Sequence, residues 1–257
     1  RIAPKMKRLN KNWQFNLLGI YNFNSYGSFH NLIQFIKNNH HKIEGDIVEA
    51  GVFRGNSLLS IALFLKKLGS SKKVFGFDTF SGFPPVYHKR DNFKEFENLF
   101  NENLIDQEHL DAVKLNQSIL KDFHNKNING NTQNISSSGE FEETSLKIIN
   151  KKIEYLELDN VILIQGDFSE TMKKSHGIDK VMSAVIDCDL YESYQDSLNF
   201  IWPKLSKGGF IHLDEYYSLK YPGARRATLE FINDKPDAFL DEKSLDGDFE
   251  RWFLTKK

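Results

Sequence analysis

One short segment constrains the fold of this chain more than any other: residues 46–57, with the sequence DIVEAGVFRGNS. An apolar strand carries Glu49 near its end, and the chain then turns through Gly51 and Gly55 into an apolar helix. A second apolar strand follows at once and ends in Asp78. Strand, glycine turn, helix, strand and acid in this order is typical of one half of a nucleotide-binding α/β sheet.

Composition excludes several classes of protein. The 257 residues are 40% hydrophobic and 27% charged, with a formal net charge of −1, which gives no electrostatic reason to expect nucleic acid or an anionic membrane as a partner. The single cysteine, Cys188, excludes an internal disulfide framework. No apolar run approaches the roughly 20 residues that span a bilayer, and the opening residues RIAPKM lack a following apolar stretch of the signal-peptide type. We therefore expect a soluble cytoplasmic protein. Whether it forms a homo-oligomer is left open.

Predicted strands alternate with predicted helices along the whole chain. The strands cover 46–50, 73–78, 161–165, 181–187 and 210–214, with a closing stretch at 251–255; the helices cover 30–39, 57–68, 142–158, 170–174, 193–205 and 222–233. This alternation predicts an α/β fold with a mostly parallel central sheet and helices on both faces. We expect one domain, 1–257, with an N-terminal helical segment over 1–40. Residues 86–140 are interpreted as a lid-like helical insertion with a mobile loop near 125–138.

Acidic residues stand at the carboxyl ends of the predicted strands, namely Glu49, Asp78, Asp167, Asp187 and the pair Asp214–Glu215. Open parallel sheets bind ligands at this edge, so the acids predict a binding site there. For any single acid, a helix N-cap or a solvated strand terminus is the plainer explanation.

The first turn favours one kind of ligand. Gly51 and Gly55 let the backbone turn tightly and approach a ligand closely, but the third glycine of a dinucleotide motif and the lysine of a phosphate loop are absent. Glu49 would repel a phosphate and suits a cation such as an amino-acid ammonium group. Asp78 is placed to accept hydrogen bonds from ribose hydroxyls. Together they favour a nucleoside that carries an amino acid over a dinucleotide.

A second acidic group follows later in the chain and consists of Asp187, Asp189, Asp214 and Glu215. Asp187, Asp214 and Glu215 could supply three oxygen ligands to a hard divalent cation, which would lower the pKa of a substrate hydroxyl. Alternatively, one acid acts as a general base without metal. The plainest alternative is an acidic surface patch.

At these residues the chain resembles the macrocin O-methyltransferase family, whose members are class I S-adenosylmethionine-dependent enzymes that methylate sugar hydroxyls. The segments that carry the resemblance are DIVEAGVFRG (46–55), FDTFSGFP (77–84), DCDLYES (187–193) and GGFIHLDEY (208–216). They occur in the order and spacing of the family over about residues 30–235. The resemblance implies a Rossmann-like class I methyltransferase fold.

The resemblance also implies roles for individual residues. The positions around the methionine part of S-adenosylmethionine are Glu49, Gly51, Arg54, Gly55 and Ser57. Asp78 holds the ribose with Thr79 in the same site, and Asp167 and Phe168 lie beside the adenine. Asp187, Asp214 and Glu215 match positions that bind Mg²⁺ in the family, with Asp187 also the expected base. The chain departs from the family pattern at Glu215, where an aspartate is usual, and at Cys188, where a glycine is usual.

We therefore expect methyl transfer to a sugar hydroxyl, on a deoxysugar, a nucleotide sugar or a glycoside. A nucleotide diphosphate would suit Arg225 and Arg226 at a helix start, although solvated surface arginines explain them equally well. Three alternatives stay open. The first is a methyltransferase for phenols, where a lysine would be expected in place of Leu190. The second is a nicotinamide-dependent oxidoreductase, and the third is a non-catalytic nucleotide-binding subunit.

Overall fold

The computed structural model describes residues 9–25, 27–124, 126, 135, 139–242 and 250–257, and a seven-stranded sheet forms its centre. The strands are β1 (Asp46–Ala50), β2 (Val74–Asp78), β3 (Val161–Gln165), β4 (Val181–Ile186), β5 (Leu205–Leu213), β6 (Ala238–Glu242) and β7 (Trp252–Lys256). They lie in the order β3-β2-β1-β4-β5-β7-β6. Neighbours among β1 to β5 pair in parallel, whereas β7 pairs antiparallel with β5 and with β6. The strand order reverses between β1 and β4, which is where open α/β sheets bind ligands.

Helices precede, separate and cover these strands. The α-helices of the described residues are α1 (Asn12–Leu18), α2 (His30–Asn39), α3 (Asn56–Lys67), α4 (Lys94–Asn101), α5 (Gln107–His124), α6 (Leu146–Leu156), α7 (Phe168–Thr171), α8 (Tyr191–Ile201) and α9 (Pro222–Ile232). Within the described segments, no helix is both long enough and apolar enough to cross a membrane.

Both faces of the sheet are buried, as the alternation of side chains along β1 shows. Ile47 packs in one apolar cluster with Leu32 of α2 and Leu59 of α3. Val48, which points to the other face, packs in a second cluster with Leu198 of α8. Successive side chains of a strand point to opposite faces, so a strand covered on both sides needs a continuous apolar run. The predicted α/β class, with helices on both faces of a mostly parallel sheet, is confirmed.

The strand register brings the ends of β1, β2 and β4 to one edge. Glu49 lies opposite Val185, and Ala50 opposite Ile186. Just beyond the strands, the Asp187 amide donates to the Ala50 carbonyl at 2.9 Å. Residues that follow these three strands therefore converge, although they lie far apart in the sequence.

The segment 86–140 contains α4 and α5 and has an apolar cluster of its own. Phe96 and Leu99 of α4 pack there with Leu110 and Val113 of α5, and Tyr221 joins them from the start of α9. These helices therefore share an interior of their own. The predicted mobile loop, 125–138, lies outside the described residues except at positions 126 and 135.

Two predictions of secondary structure near the end of the sheet need correction. The helix predicted over 193–205 ends at Ile201, and β5 begins already at Leu205. Pro203 explains the early end, because proline lacks the amide that would continue the helix and its ring clashes with the preceding turn; it lies in a short 3₁₀ turn, Trp202–Lys204. Strand β6 was not predicted at all. Its burial is only partial, and it forms the edge of the sheet.

Candidate active site

A cavity of about 300 Å³ opens at the carboxyl ends of the central strands. Residues at or just beyond the ends of β1, β2, β3 and β4 form most of its wall, and aromatic residues from other segments complete it. The lining includes Gly51, Phe53, Arg54, Ser57, Asp78, Thr79, Phe83, Phe141, Asp167, Phe168, Asp187, Asp189 and Tyr21. Eight sequence-predicted site residues are thus brought together: Gly51, Arg54, Ser57, Asp78, Thr79, Asp167, Phe168 and Asp187. The other predicted positions, Glu49, Gly55, Asp214 and Glu215, are not part of this lining.

The turn after β1 is possible only with glycine at position 51. Gly51 has φ 93°, a conformation that side chains with a Cβ rarely adopt. A Cβ there would stand 1.9 Å from the Asp187 carbonyl oxygen. Gly51 therefore allows the ends of β1 and β4 to approach each other directly beneath the cavity.

Asp78 organises the same turn from the end of β2. Its Oδ2 accepts hydrogen bonds from the Val52 and Phe53 amides, each at 2.8 Å, and its Oδ1 accepts one from the Phe80 amide at 2.6 Å. Oδ1 keeps acceptor capacity for one further donor. The carboxylate thus holds two loops in place while it remains a lining residue of the cavity.

Glu49 lies behind the cavity wall. Its side chain is fully buried, and its Oε1 accepts a hydrogen bond at 2.6 Å from Ser57 Oγ, which does line the cavity. Its Oε2 has no hydrogen-bond partner among the described residues. Burial raises the pKa of Glu49 to about 8, against the hydrogen bond from Ser57. The predicted contact with an ammonium group would therefore run through Ser57 or require a small local rearrangement.

The raised pKa of Glu49 makes a prediction about stability. Between pH 4.5 and about 8 the unfolded chain has lost this proton while the folded chain keeps it, so the free energy of unfolding falls as the pH rises through that window. Each unit of pKa difference corresponds to about 1.4 kcal/mol. Glu49→Gln keeps an oxygen for Ser57 and removes the titration. We expect urea unfolding to show a shallower loss of stability with pH in the variant than in the wild type. Equal pH slopes would contradict the assignment.

Arg54 and Asp167 take part in contacts with neighbouring residues. Arg54 forms an ion pair with the Glu143 carboxylate, and its Nε donates to the Glu143 carbonyl at 3.0 Å; both side chains are largely exposed. Asp167 caps α7, because its Oδ1 accepts from the Ser169 amide at 2.8 Å. Asp167 therefore is a helix N-cap, as the alternative explanation proposed, and it also lines the cavity.

The later acids gather at the ends of β4 and β5. Burial and the charges of Asp214 and Asp189 raise the pKa of Asp187 well above its ordinary range. Burial opposes ionisation of Asp214 as well, but its hydrogen bond with His212 and the charge of Arg251 lower the pKa of Asp214; His212 Nε2 lies 3.2 Å from Asp214 Oδ1. The protonated form of Asp187 is thus favoured, and it lies next to Asp214, whose ionised form is favoured.

Glu215 and Asp189 complete this acidic group. Burial and the Asp214 charge raise the pKa of Glu215 to about 7. Asp189 is buried and adopts φ 60°, a backbone conformation that costs energy in a residue other than glycine and often occurs at functional sites. In the described part of the chain, no three His, Cys, Asp or Glu side chains form a group that could hold a metal ion.

Sequence reasoning missed the aromatic part of the cavity. Tyr21 follows α1, and its amide donates to the Asn56 carbonyl at 3.1 Å, which places the residue at the cavity beside α3. Burial and the charge of Asp187 raise the pKa of Tyr21 to about 12, so the phenol is neutral. On the other wall, the rings of Phe53 and Phe141 meet edge to face at 5.1 Å. No motif or periodicity marks Tyr21 or Phe141; only the folded chain brings them to the strand ends.

The two arginines considered for a diphosphate are buried in the protein interior. Arg226 is 6% exposed and bonds both Glu95, at 2.5 Å, and Glu102, at 2.7 Å. Arg225 donates to the ring of His109 at 3.0 Å and lies over the Tyr216 ring. The two arginines connect α9 to α4 and α5. They are therefore neither placed to bind an anion nor solvated at the surface, as the two explanations from the sequence had it.

Solved structures resemble the fold of this chain. The O-methyltransferase NovP covers 95% of the chain and 80% of its own length, with a TM-score of 0.59 and 20% identity. The calicheamicin methyltransferase CalS11 also covers 95% and 80%, with a TM-score of 0.57 and 19% identity. Together with the strand order, they confirm the Rossmann-like class I methyltransferase fold.

Comparison of the amino-acid sequence identifies relatives of this chain. The 8-demethyl-8-(2,3-dimethoxy-alpha-L-rhamnosyl)-tetracenomycin-C 4'-O-methyltransferase of Streptomyces olivaceus is 29% identical over 177 residues, which are 68% of this chain and 54% of the relative. The chain thus spans about half the length of this curated relative. The family model described as Macrocin-O-methyltransferase (TylF) matches residues 26–159 and 122–238. These matches cover most of the chain, which therefore belongs to the macrocin O-methyltransferase family.

Proposed function

We propose that this protein is an S-adenosylmethionine-dependent O-methyltransferase that acts on a sugar hydroxyl. One observation carries the proposal: the glycine turn after β1, Asp78 at the end of β2 and Asp187 after β4 all line a single cavity. Family membership supports methyl transfer, and the printed activity of the Streptomyces relative supports a sugar hydroxyl as the acceptor.

The residues suit the cofactor in shape and charge. Gly51 lines the cavity, and the absence of a side chain there lets the turn after β1 pack against the Asp187 backbone. Asp78 has one acceptor site left for a ribose hydroxyl, and Ser57 presents its hydroxyl to the cavity in front of Glu49. Asp167 and Phe168, at the far end of the sheet edge, would contact the adenine. S-adenosylmethionine supplies an activated methyl group, so most of the catalytic effect is expected from positioning.

The chemical step is a displacement at the methyl carbon. The bond from the acceptor oxygen to the methyl carbon forms while the carbon–sulfur bond breaks, and the sulfur keeps that electron pair. Asp187 would accept the proton that the acceptor hydroxyl loses, as a general base. Burial and neighbouring carboxylates raise the pKa of Asp187, so its ionised form is a stronger base than an ordinary aspartate, and Asp187 must lose its own proton before it accepts that of the acceptor. Tyr21, neutral and at the same cavity, can donate a hydrogen bond to the acceptor or to Asp187.

We also propose that Mg²⁺ or another hard divalent cation binds Asp187, Asp214 and Glu215. Carboxylate oxygens are the ligands such ions prefer, and a cation would relieve the repulsion that raises the pKa of Asp187 and of Glu215. Their side chains would have to turn toward one another, since no three-residue group of this kind exists among the described residues.

The decisive experiment is a thermal unfolding series with S-adenosylmethionine, S-adenosylhomocysteine and NAD, each with Mg²⁺ or with a chelator. A ligand at about 100 times its dissociation constant stabilises by roughly 2.7 kcal/mol. We expect both adenosyl compounds to stabilise the protein and NAD to leave it unchanged. A shift with NAD alone would favour the oxidoreductase alternative. Mg²⁺-dependent enhancement would support the metal proposal, and identical shifts with chelator would count against it. Rhamnosides and other glycosides would then be screened as acceptors, with catechols as the comparison.

A further inference from the structure

A second cavity, of about 340 Å³, adjoins the cofactor cavity. The two share the wall residues Pro84, Asp167, Phe168 and Ser193. The remaining wall comes from the loop before α4 and from the first turns of α8. We call this space the side cavity. A molecule in it would lie next to the cofactor without occupying the same space.

The side cavity is strongly acidic. Four carboxylates line it, those of Asp91, Asp167, Glu192 and Asp196, and the described lining contains no lysine or arginine. Walls of one sign focus the field and concentrate counter-ions. Burial and then the charges of Asp167 and Glu192 raise the pKa of Asp196, which shows that these carboxylates act on one another. The field favours a positively charged occupant and opposes a phosphate.

One of these acids is buried, and one of its two carboxylate oxygens lacks a hydrogen-bond donor. Asp91 is 2% exposed. Its Oδ1 accepts from the Tyr191 amide at 2.9 Å, at the start of α8, but its Oδ2 has no hydrogen-bond partner among the described residues. An unsatisfied buried acceptor is costly, so a donor from a ligand would be stabilising. Burial raises the pKa of Asp91 to about 7, and a bound cation would favour its ionised form.

The walls suit an organic cation better than a metal ion. Phe168 and Leu190, both largely buried, give the cavity apolar surface. The His88 ring stacks on Tyr191, with centroids 4.5 Å apart and planes at 14°, and forms a flat side wall. An occupant therefore needs a small carbon body as well as a positive hydrogen-bond donor.

We propose that the side cavity binds a small organic ammonium ion, whose ammonium group donates to Asp91 Oδ2 and whose carbon body packs against Phe168 and Leu190. An amino sugar and an aliphatic amine both provide this chemistry. The site goes beyond the proposed methyl transfer, because it lies on the α8 side of the cofactor cavity and does not contain Asp187.

The test is calorimetric titration of the whole protein with two matched pairs of ligands: glucosamine with glucose, and putrescine with 1,4-butanediol. We expect each amine to bind at least about tenfold more tightly than its neutral partner. Binding of glucosamine alone would identify a sugar amine as the source, and binding of both amines would show that the ammonium group suffices. Equal binding of neutral and charged partners, or no binding of either amine up to about 10 mM, would overturn the proposal.

Variants locate the site. Asp91→Asn keeps an acceptor for the Tyr191 amide and removes the charge, and we expect it to weaken amine binding by about tenfold or more. Glu192→Gln, at an exposed position, should weaken amine binding about two- to threefold. It provides a second test of the site if Asp91→Asn folds poorly. Glu170→Gln is the control, because Glu170 is an exposed acid on the neighbouring helix α7 outside the cavity lining. Unchanged amine binding in both Asp91→Asn and Glu192→Gln would refute the site.

Affinity for S-adenosylhomocysteine, measured in parallel, separates the two proposals. We expect the wild type and all three variants to bind it within about twofold of one another. Amine binding without S-adenosylhomocysteine binding would leave the side cavity in place and contradict the proposed function. The reverse result would contradict the side cavity alone.

Discussion

Asp187→Asn is expected to abolish methyl transfer while the protein stays folded and keeps its affinity for S-adenosylhomocysteine. The amide cannot accept the proton of the acceptor hydroxyl, and loss of a general base typically lowers the rate by about 10² to 10⁴-fold. The fold should tolerate the change, because the charge of Asp187 is opposed by burial and by Asp214. Turnover with the acceptor found by screening, and calorimetric binding of S-adenosylhomocysteine, measure the two effects separately.

A matched control lies at the opposite end of β4. Asp179 is an exposed acid that precedes β4, at the end opposite to Asp187, and Asp179→Asn should leave turnover and binding unchanged. Wild-type activity in Asp187→Asn would eliminate this residue as the base and direct attention to Asp189, which follows Asp187 by two residues and also lines the cavity. Loss of S-adenosylhomocysteine binding would instead indicate a role in cofactor recognition.

Gly51→Ala is expected to destabilise the fold strongly. The added Cβ would stand 1.9 Å from the Asp187 carbonyl oxygen and 2.6 Å from its carbonyl carbon, so β1 and β4 would have to separate at the cavity. The positive φ of Gly51 adds its own penalty. We expect a loss of about 3 kcal/mol or more in the free energy of unfolding, measured by urea denaturation, together with much weaker binding of S-adenosylhomocysteine.

Gly69→Ala separates the two causes of that loss. Gly69 also has a positive φ, 67°, but nothing lies within 4 Å of the position its Cβ would take. It should lose only about 1 kcal/mol, the cost of the backbone conformation, and bind S-adenosylhomocysteine normally. If both variants lost the same stability, the close approach of β1 and β4 would not be the reason for glycine at position 51.

The order of strands and helices was predictable because it depends on local patterns. Apolar runs such as 46–50 and 181–187 correspond closely to β1 and β4, since strands buried on both faces are mostly apolar along their length. Element ends were harder to predict. The helix predicted to reach Leu205 stops at Ile201 because of Pro203, and β6 escaped notice because an edge strand with partial burial shows little apolar pattern.

The candidate site was predictable where its residues follow strands. Asp78 and Asp187 end in the same cavity because parallel strands point their carboxyl ends to one edge. The sequence did not indicate that Asp78 binds the amides of Val52 and Phe53, nor that Glu49 sits behind Ser57. Such details depend on side-chain directions that residue spacing does not specify.

The sequence by itself determined the class of fold, the glycine turn and the edge of the sheet at which the acids gather, because hydrophobic periodicity and glycine positions act over a few residues. Only the tertiary structure decided that Arg225 and Arg226 are buried in contacts with α4 and α5. It also decided that Tyr21 reaches the cavity and that Oδ2 of Asp91, in the adjoining side cavity, has no hydrogen-bond donor among the described residues. These outcomes depend on contacts between residues far apart in the chain. Charge alone does not reveal whether an arginine meets solvent, a ligand or a buried glutamate.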